Sequence, residues 1–84
     1  MTRGAMPDLV TTVAAVWAEV LGRAEVPEDA PFLELGGNSI DAMRIVNRLE
    51  ERLGIELSMR SLLETRTVNA MAGHLAGHLA GERT

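Results

Sequence analysis

The sequence has no cysteine, and only two of its residues are aromatic, Trp17 and Phe32. Without cysteine, neither disulfides nor thiolate metal sites can supplement the core, so packing alone must hold the fold. One indole and one phenyl ring make no platform for stacking bases. All eight basic residues are arginine, and twelve acids outnumber them to leave a net charge of −4. Nucleic-acid binders neutralise phosphates with a basic face, so a small acidic chain is disfavoured for that role. No stretch approaches the roughly 18 apolar residues of a membrane span, and Met1 is not followed by a basic leader and an apolar run. The expectation is a complete, soluble, cytoplasmic chain.

The 84 residues leave room for one domain, expected over 1–84 with a folded core from about residue 8 to 80. A domain of this size buries only about 60 to 65% of the surface of its unfolded chain. Such a chain can hardly build a substrate-enclosing cleft and keep a core as well, which argues against a self-sufficient enzyme.

Leu9, Val13, Val16, Trp17 and Val20 recur at helical spacing, predicting a helix over 9–21 capped by Asp8 and stopped at Gly22. From Arg23 to Asn38 the pattern dissolves into prolines, acids and a glycine pair, which reads as a long loop anchored by Phe32 and Leu35. A second helix is expected from Ser39 to Leu53, capped by Ser39 or Asn38 and ended by Gly54. Ser58 can cap a short helix through Leu63, and Thr67 a last one through about Leu79. The apolar face of that last helix is Val68, Met71, Ala72, Leu75 and Leu79. Gly73, Gly77 and Gly81 each cost it about 1 kcal/mol relative to alanine, so its final turns should fray. The fold expected is all-α: an antiparallel bundle of three main helices and one short one, with a long loop between helices one and two.

The informative stretch is LGGNSI, Leu35 to Ile40, two glycines and then a serine at a loop-to-helix junction. Gly36 and Gly37 permit unusual backbone angles and leave the approach to Ser39 free of side chains. A serine at a helix start is commonly just a cap. Backbone N–H groups and the helix dipole there would also make a phosphate on Ser39 electrostatically comfortable. A hydrolase elbow needs glycine two residues after the serine, where this chain has Asp41. The only histidines, His74 and His78, lie at the end of the last helix with no sequence reason to reach Ser39. They stand four residues apart without an acid motif or cysteine, so no metal site is expected. Ser39 reads as a substrate for another protein's chemistry.

Projected at about 100° per residue, the second helix places Ala42, Ile45, Val46, Leu49 and Leu53 on one arc, the core face. Ile40, Met43 and Asn47 fall on the other side, near Arg44 and Glu51. Arg44, Arg48 and Arg52 form a row of the kind that usually marks a solvated face. Two apolar residues one turn from Ser39 suggest a docking surface, in which Met43 supplies an adaptable contact. The docking set is Ile40, Met43, Arg44 and Asn47, together with Met59 on the short helix.

The run PFLELGGNSIDAMRIVNRLEERLGIELSMRSLLETRTVNAMAGHL resembles the peptidyl carrier domains of nonribosomal peptide synthesis over about half the chain. The family hallmark, a leucine, two glycines, a variable residue and the modified serine, falls on Leu35, Gly36, Gly37, Asn38 and Ser39. Ile40 stands where leucine is usual, and Leu62, Leu63 and Glu64 match the family's short helix. The resemblance implies an acyl-carrier-like fold and a phosphopantetheinyl transferase that moves 4′-phosphopantetheine from coenzyme A onto Ser39. It implies an adenylating enzyme that loads an amino or aryl acid as a thioester, and condensation or tailoring enzymes that take it onward. Three departures bear on partner recognition: Asn38 for histidine or aspartate, Leu33 for the second of two aromatics, and Arg66 for the proline frequent before Thr67. The glycine pair favours the peptidyl branch over fatty-acid or polyketide carriers. The chain is expected to be a freestanding monomer that binds no nucleic acid and no membrane. The alternatives are an acyl or aryl carrier of a polyketide-type pathway and, in a different class, an unmodified helical adaptor.

Overall fold

The helical periodicity of the sequence becomes four α-helices: α1 (Leu9–Leu21), α2 (Ser39–Leu53), α3 (Met59–Thr65) and α4 (Val68–Glu82). They are seen in a computed structural model, which describes residues 9–82 and their side chains as far as Leu79. Asp8, the expected cap of α1, lies outside the described residues. There is no strand among the described residues. α1 packs against both α2 and α4, and α3 bridges α2 and α4.

Each helix turns its apolar arc inward. Val13, Val16 and Trp17 of α1 meet Ala42, Ile45 and Leu49 of α2, Leu62 of α3, and Val68, Met71 and Leu75 of α4, all fully buried. Leu9, Val20, Leu53 and Leu79 pack half-buried at the margin of this core. α3 runs two residues beyond the expected Leu63, and its hydroxyl cap is Ser58, whose Oγ accepts from the Ser61 N–H at 3.3 Å. α4 runs on through Gly73 and Gly77 to Glu82. Thr67 Oγ1 accepts from the Ala70 N–H at 3.1 Å, the cap expected from sequence.

The segment between α1 and α2 is not the structureless loop that its prolines suggested. It contains a 3-10 helix, Phe32–Leu35, and is fixed at both ends. Val26 and Phe32 sink into the core, and Leu35 packs against it. The Phe32 N–H donates to the Arg66 carbonyl at 2.7 Å, and the Asn69 N–H donates to the Glu28 carbonyl at 3.0 Å. The second bond satisfies one of the orphan donors that every helix start carries. Burial of Phe32 contributes roughly 1.5 to 3 kcal/mol, enough to hold the segment in place. Its ring meets Trp17 edge on, with centroids 5.3 Å apart at 79°, so the two aromatic residues of the chain pack on each other.

Candidate functional site

The 3-10 helix ends at Gly36, whose φ of 86° lies in the left-handed region that glycine alone enters freely. Gly37 has a different reason to be glycine. A Cβ there would overlap the outer edge of the Phe32 ring. The expectation that Gly37 opens the approach to the serine is therefore corrected: its missing side chain makes room for the core anchor. Through Phe32 and the glycine pair, the core sets where the chain enters α2.

The start of α2 decides between the two caps that the sequence offers: its cap is Asn38, in extended conformation, and not Ser39. Asn38 Oδ1 accepts from the Asp41 N–H at 2.9 Å, and Asp41 Oδ2 accepts from the Asn38 N–H at 3.3 Å. This reciprocal capping box satisfies two donors at once. The Ala42 N–H donates to the Asn38 carbonyl at 2.9 Å. The N–H groups of Ser39 and Ile40 are left as the donors at this helix end without a partner among the described residues. Ser39 is the first helical residue, exposed, and its hydroxyl takes no part in the cap.

The other two serines of the sequence are committed elsewhere. Ser58 caps α3, and its Oγ lies 3.4 Å from Ser61 Oγ. A phosphate on Ser39 would face two unpaired backbone donors and the positive end of a 15-residue helix, so the residues present fit a phosphodiester at that oxygen.

Along α2 the helical projection holds: Ala42, Ile45, Val46 and Leu49 are buried. Ile40 is 62% and Met43 51% exposed, and Arg44 and Asn47 are exposed beside them. The arginine row lies on an exposed face, as expected; Arg48 and Arg52 both reach Glu19 of α1, at 2.9 and 3.0 Å, while Arg44, beside Ile40 and Met43, makes no ion pair among the described residues. Met59, at the start of α3, is half-buried against the core.

Leu33 and Leu63, which the expected docking set does not include, are exposed as well, at 76% and 52%. They border a groove of about 280 Å³ lined also by Pro31, Phe32, Leu62 and Arg66. A signal for Leu63 existed, because it follows the core residue Leu62 directly and must point about 100° away. His74 and His78 line a separate hollow with Glu56, Ser58 and Ser61. Among the described residues no cluster of three or more metal-ligating side chains occurs.

The model of a family described as the phosphopantetheine attachment site matches residues 11–75. Surfactin synthase subunit 3 of Bacillus subtilis (strain 168) is 35% identical over 72 residues, covering 86% of this chain and 6% of that protein. The chain thus spans a small part of the synthetase subunit it matches. Among solved structures, BlmI, a type-II acyl-carrier-protein from Streptomyces verticillus involved in bleomycin biosynthesis, is similar with a TM-score of 0.83 and 52% identity, over 84% of this chain and 86% of that one. McyG A-PCP, solved with phenylalanyl-adenylate, matches with a TM-score of 0.78 and 36% identity, over 83% of this chain and 11% of that one. The family model covers most of the chain and each of these likenesses covers more than four fifths of it, so the chain belongs to the phosphopantetheine attachment family, as a carrier protein of the nonribosomal peptide type whose cofactor is 4′-phosphopantetheine.

Proposed function

We propose that Ser39 bears the phosphopantetheine arm and that the protein is a substrate of its partner enzymes, not itself an enzyme. The observation that carries this reading is the capping box: Asn38 and Asp41 cap α2 between them and leave the Ser39 hydroxyl exposed and uncommitted. In arm transfer Ser39 Oγ attacks the phosphate of coenzyme A that bears the pantetheine. The Oγ–P bond forms, the nucleotide half leaves, and the serine proton passes to a base of the transferase. The Ser39 and Ile40 N–H groups and the helix dipole stabilise the phosphodiester that results. The arm supplies a terminal thiol, which holds an aminoacyl or peptidyl group as a thioester.

The partners in this reading are a phosphopantetheinyl transferase, an adenylating enzyme, and condensation or tailoring enzymes. Ile40, Met43, Arg44 and Asn47 form the face that meets them, with Met59 at its margin. McyG A-PCP, in which an adenylating unit and a carrier share one structure, supports the second of these partners. The match to BlmI over 84% of this chain and 86% of that one supports a single carrier domain. Among the described residues no helix is long and apolar enough to cross a membrane.

The test is intact mass after incubation with coenzyme A and a promiscuous transferase. Wild type should gain one arm and Ser39→Ala none. Transfer at the normal rate to the Ser39→Ala protein would refute the assignment, and no gain by wild type would favour an unmodified adaptor.

A further inference from the structure

The histidine pair of α4 has no part in the carrier reading. His74 and His78 stand four residues apart on the helix, a spacing that sets their Cβ atoms about 5 to 6 Å from each other on one face. Both line the same hollow of about 320 Å³, between α4 and the start of α3. His74 is exposed and His78 half-buried. Their sequence neighbours include no acid motif, but the fold supplies an acid from elsewhere: Glu56, in the connection between α2 and α3, lines the same hollow.

Charge adds a second, independent observation. Among the described residues Glu56 makes no ion pair and no arginine lines the hollow, so the Glu56 carboxylate is the one permanent charge there. Ser58 and Ser61 add hydroxyl oxygens to the wall. Two imidazoles and a carboxylate, with no competing cation, are the donor types that borderline divalent metals take, whereas hard cations ask for oxygen alone. The three side chains do not stand as a finished three-ligand set. The pair is the chelate, and Glu56, being exposed, reaches it by turning about its own side-chain bonds.

We propose that His74 and His78 chelate a divalent transition metal of the zinc, nickel and copper class, with Glu56 closing the coordination and water filling the remaining positions. The chelate ties one turn of α4 together in the stretch that Gly73, Gly77 and Gly81 weaken, and Glu56 ties that stretch to the connection between α2 and α3. Ser58 and Ser61 accept hydrogen bonds from the metal-bound water. The ion stabilises the end of α4, because the unfolded chain holds the two rings at no fixed spacing. The proposal does not depend on Ser39 carrying the arm.

The test is titration of the full chain, stripped of metal with EDTA, with zinc chloride, followed by calorimetry and by the histidine ring signals in NMR. One zinc per chain is expected, with both rings shifting together. Nickel should bind as well, and calcium and magnesium about tenfold or more weakly than zinc, since imidazole nitrogen is a poor ligand for hard cations. His74→Ala and His78→Gln should each weaken zinc binding about tenfold or more, and Glu56→Gln about threefold or more. His74 and Glu56 are exposed, so their variants should keep the metal-free circular dichroism of wild type and keep the test open even if His78→Gln folds poorly. Zinc should slow amide exchange over residues 74–82 about fivefold or more in wild type, and not in His74→Ala.

Four results overturn the proposal: no saturable zinc binding, zinc binding by His74→Ala as tight as by wild type, which would mean an adventitious ion only, an unchanged affinity in Glu56→Gln, or calcium bound as tightly as zinc, which would place the ion on carboxylates. Sedimentation in the presence of zinc supplies the last arm. One zinc shared between two chains would overturn the chelate within one helix in favour of a bridge between copies, and a monomer with one zinc supports it.

Discussion

Gly37 and Phe32 are matched: the ring of Phe32 occupies the space that any side chain at Gly37 would need. Gly37→Ala therefore forces the ring out of its seat against Trp17, an overpacking cost of about 1 to 3 kcal/mol. Gly36→Ala meets no atom but must hold a φ of 86°, at about 1 to 2 kcal/mol. The two variants separate in fluorescence. Trp17 is the sole tryptophan, and its emission should shift in Gly37→Ala and stay as in wild type in Gly36→Ala. An unchanged emission in Gly37→Ala would mean that the ring and the glycine do not touch.

Asn38 and Ser39 carry separate burdens, and their variants should part accordingly. Because the cap belongs to Asn38, Asn38→Ala should cost about 0.5 to 2 kcal/mol. Ser39→Ala removes an exposed hydroxyl outside the cap and should stay within about 0.5 kcal/mol of wild type while losing all arm transfer. Urea unfolding of both proteins beside intact-mass assays checks this. A larger loss of stability in Ser39→Ala than in Asn38→Ala would return the cap to the serine.

α1, α2 and α4 were legible because each has an apolar arc of 3.6 periodicity behind a capping residue, with Gly22 and Gly54 as breakers after the first two, whereas the short α3 showed only through its Ser58 cap. The 3-10 helix had no such trace: four residues are too few for a period, and the prolines around them read as loop. Both Asn38 and Ser39 are good caps by residue type, and what decides between them is Asp41, three residues after Asn38, which completes a capping box only with the asparagine. The Glu19 clamp lies beyond local reading, since Glu19 is 29 residues from Arg48 and 33 from Arg52. The left-handed backbone at Arg66 has no signal in its residue type at all.

Arg66 holds a φ of 70° at the end of α3, the single left-handed non-glycine among the described residues, and its N–H donates to the Leu62 carbonyl at 2.9 Å. Proline, frequent at this position in the family that the chain resembles, fits neither fact, because its ring locks φ near −65° and it has no N–H. Arg66→Pro should therefore destabilise by about 3 kcal/mol or more. Arg66→Gly relieves the strained angle but frees the unfolded chain, so it should change stability by less than about 1 kcal/mol. Thermal unfolding of the pair is the measurement. A proline variant as stable as wild type would require a different turn between α3 and α4.

Met43 and Leu49 lie on opposite sides of α2, the first 51% exposed and the second fully buried. Leu49→Ala leaves a cavity among the residues of four helices and should cost about 2 to 5 kcal/mol, lowering the melting temperature directly. Met43→Ala removes little buried surface and should stay within about 0.5 kcal/mol of wild type. Its effect should fall on docking: with Ile40 intact but the adaptable thioether gone, loading by an adenylating partner should slow while the fold persists. Thermal unfolding of both variants beside loading kinetics gives the discriminating pair of readouts. A Met43→Ala protein that melts far below wild type, or one that loads at the wild-type rate, would remove Met43 from the docking face.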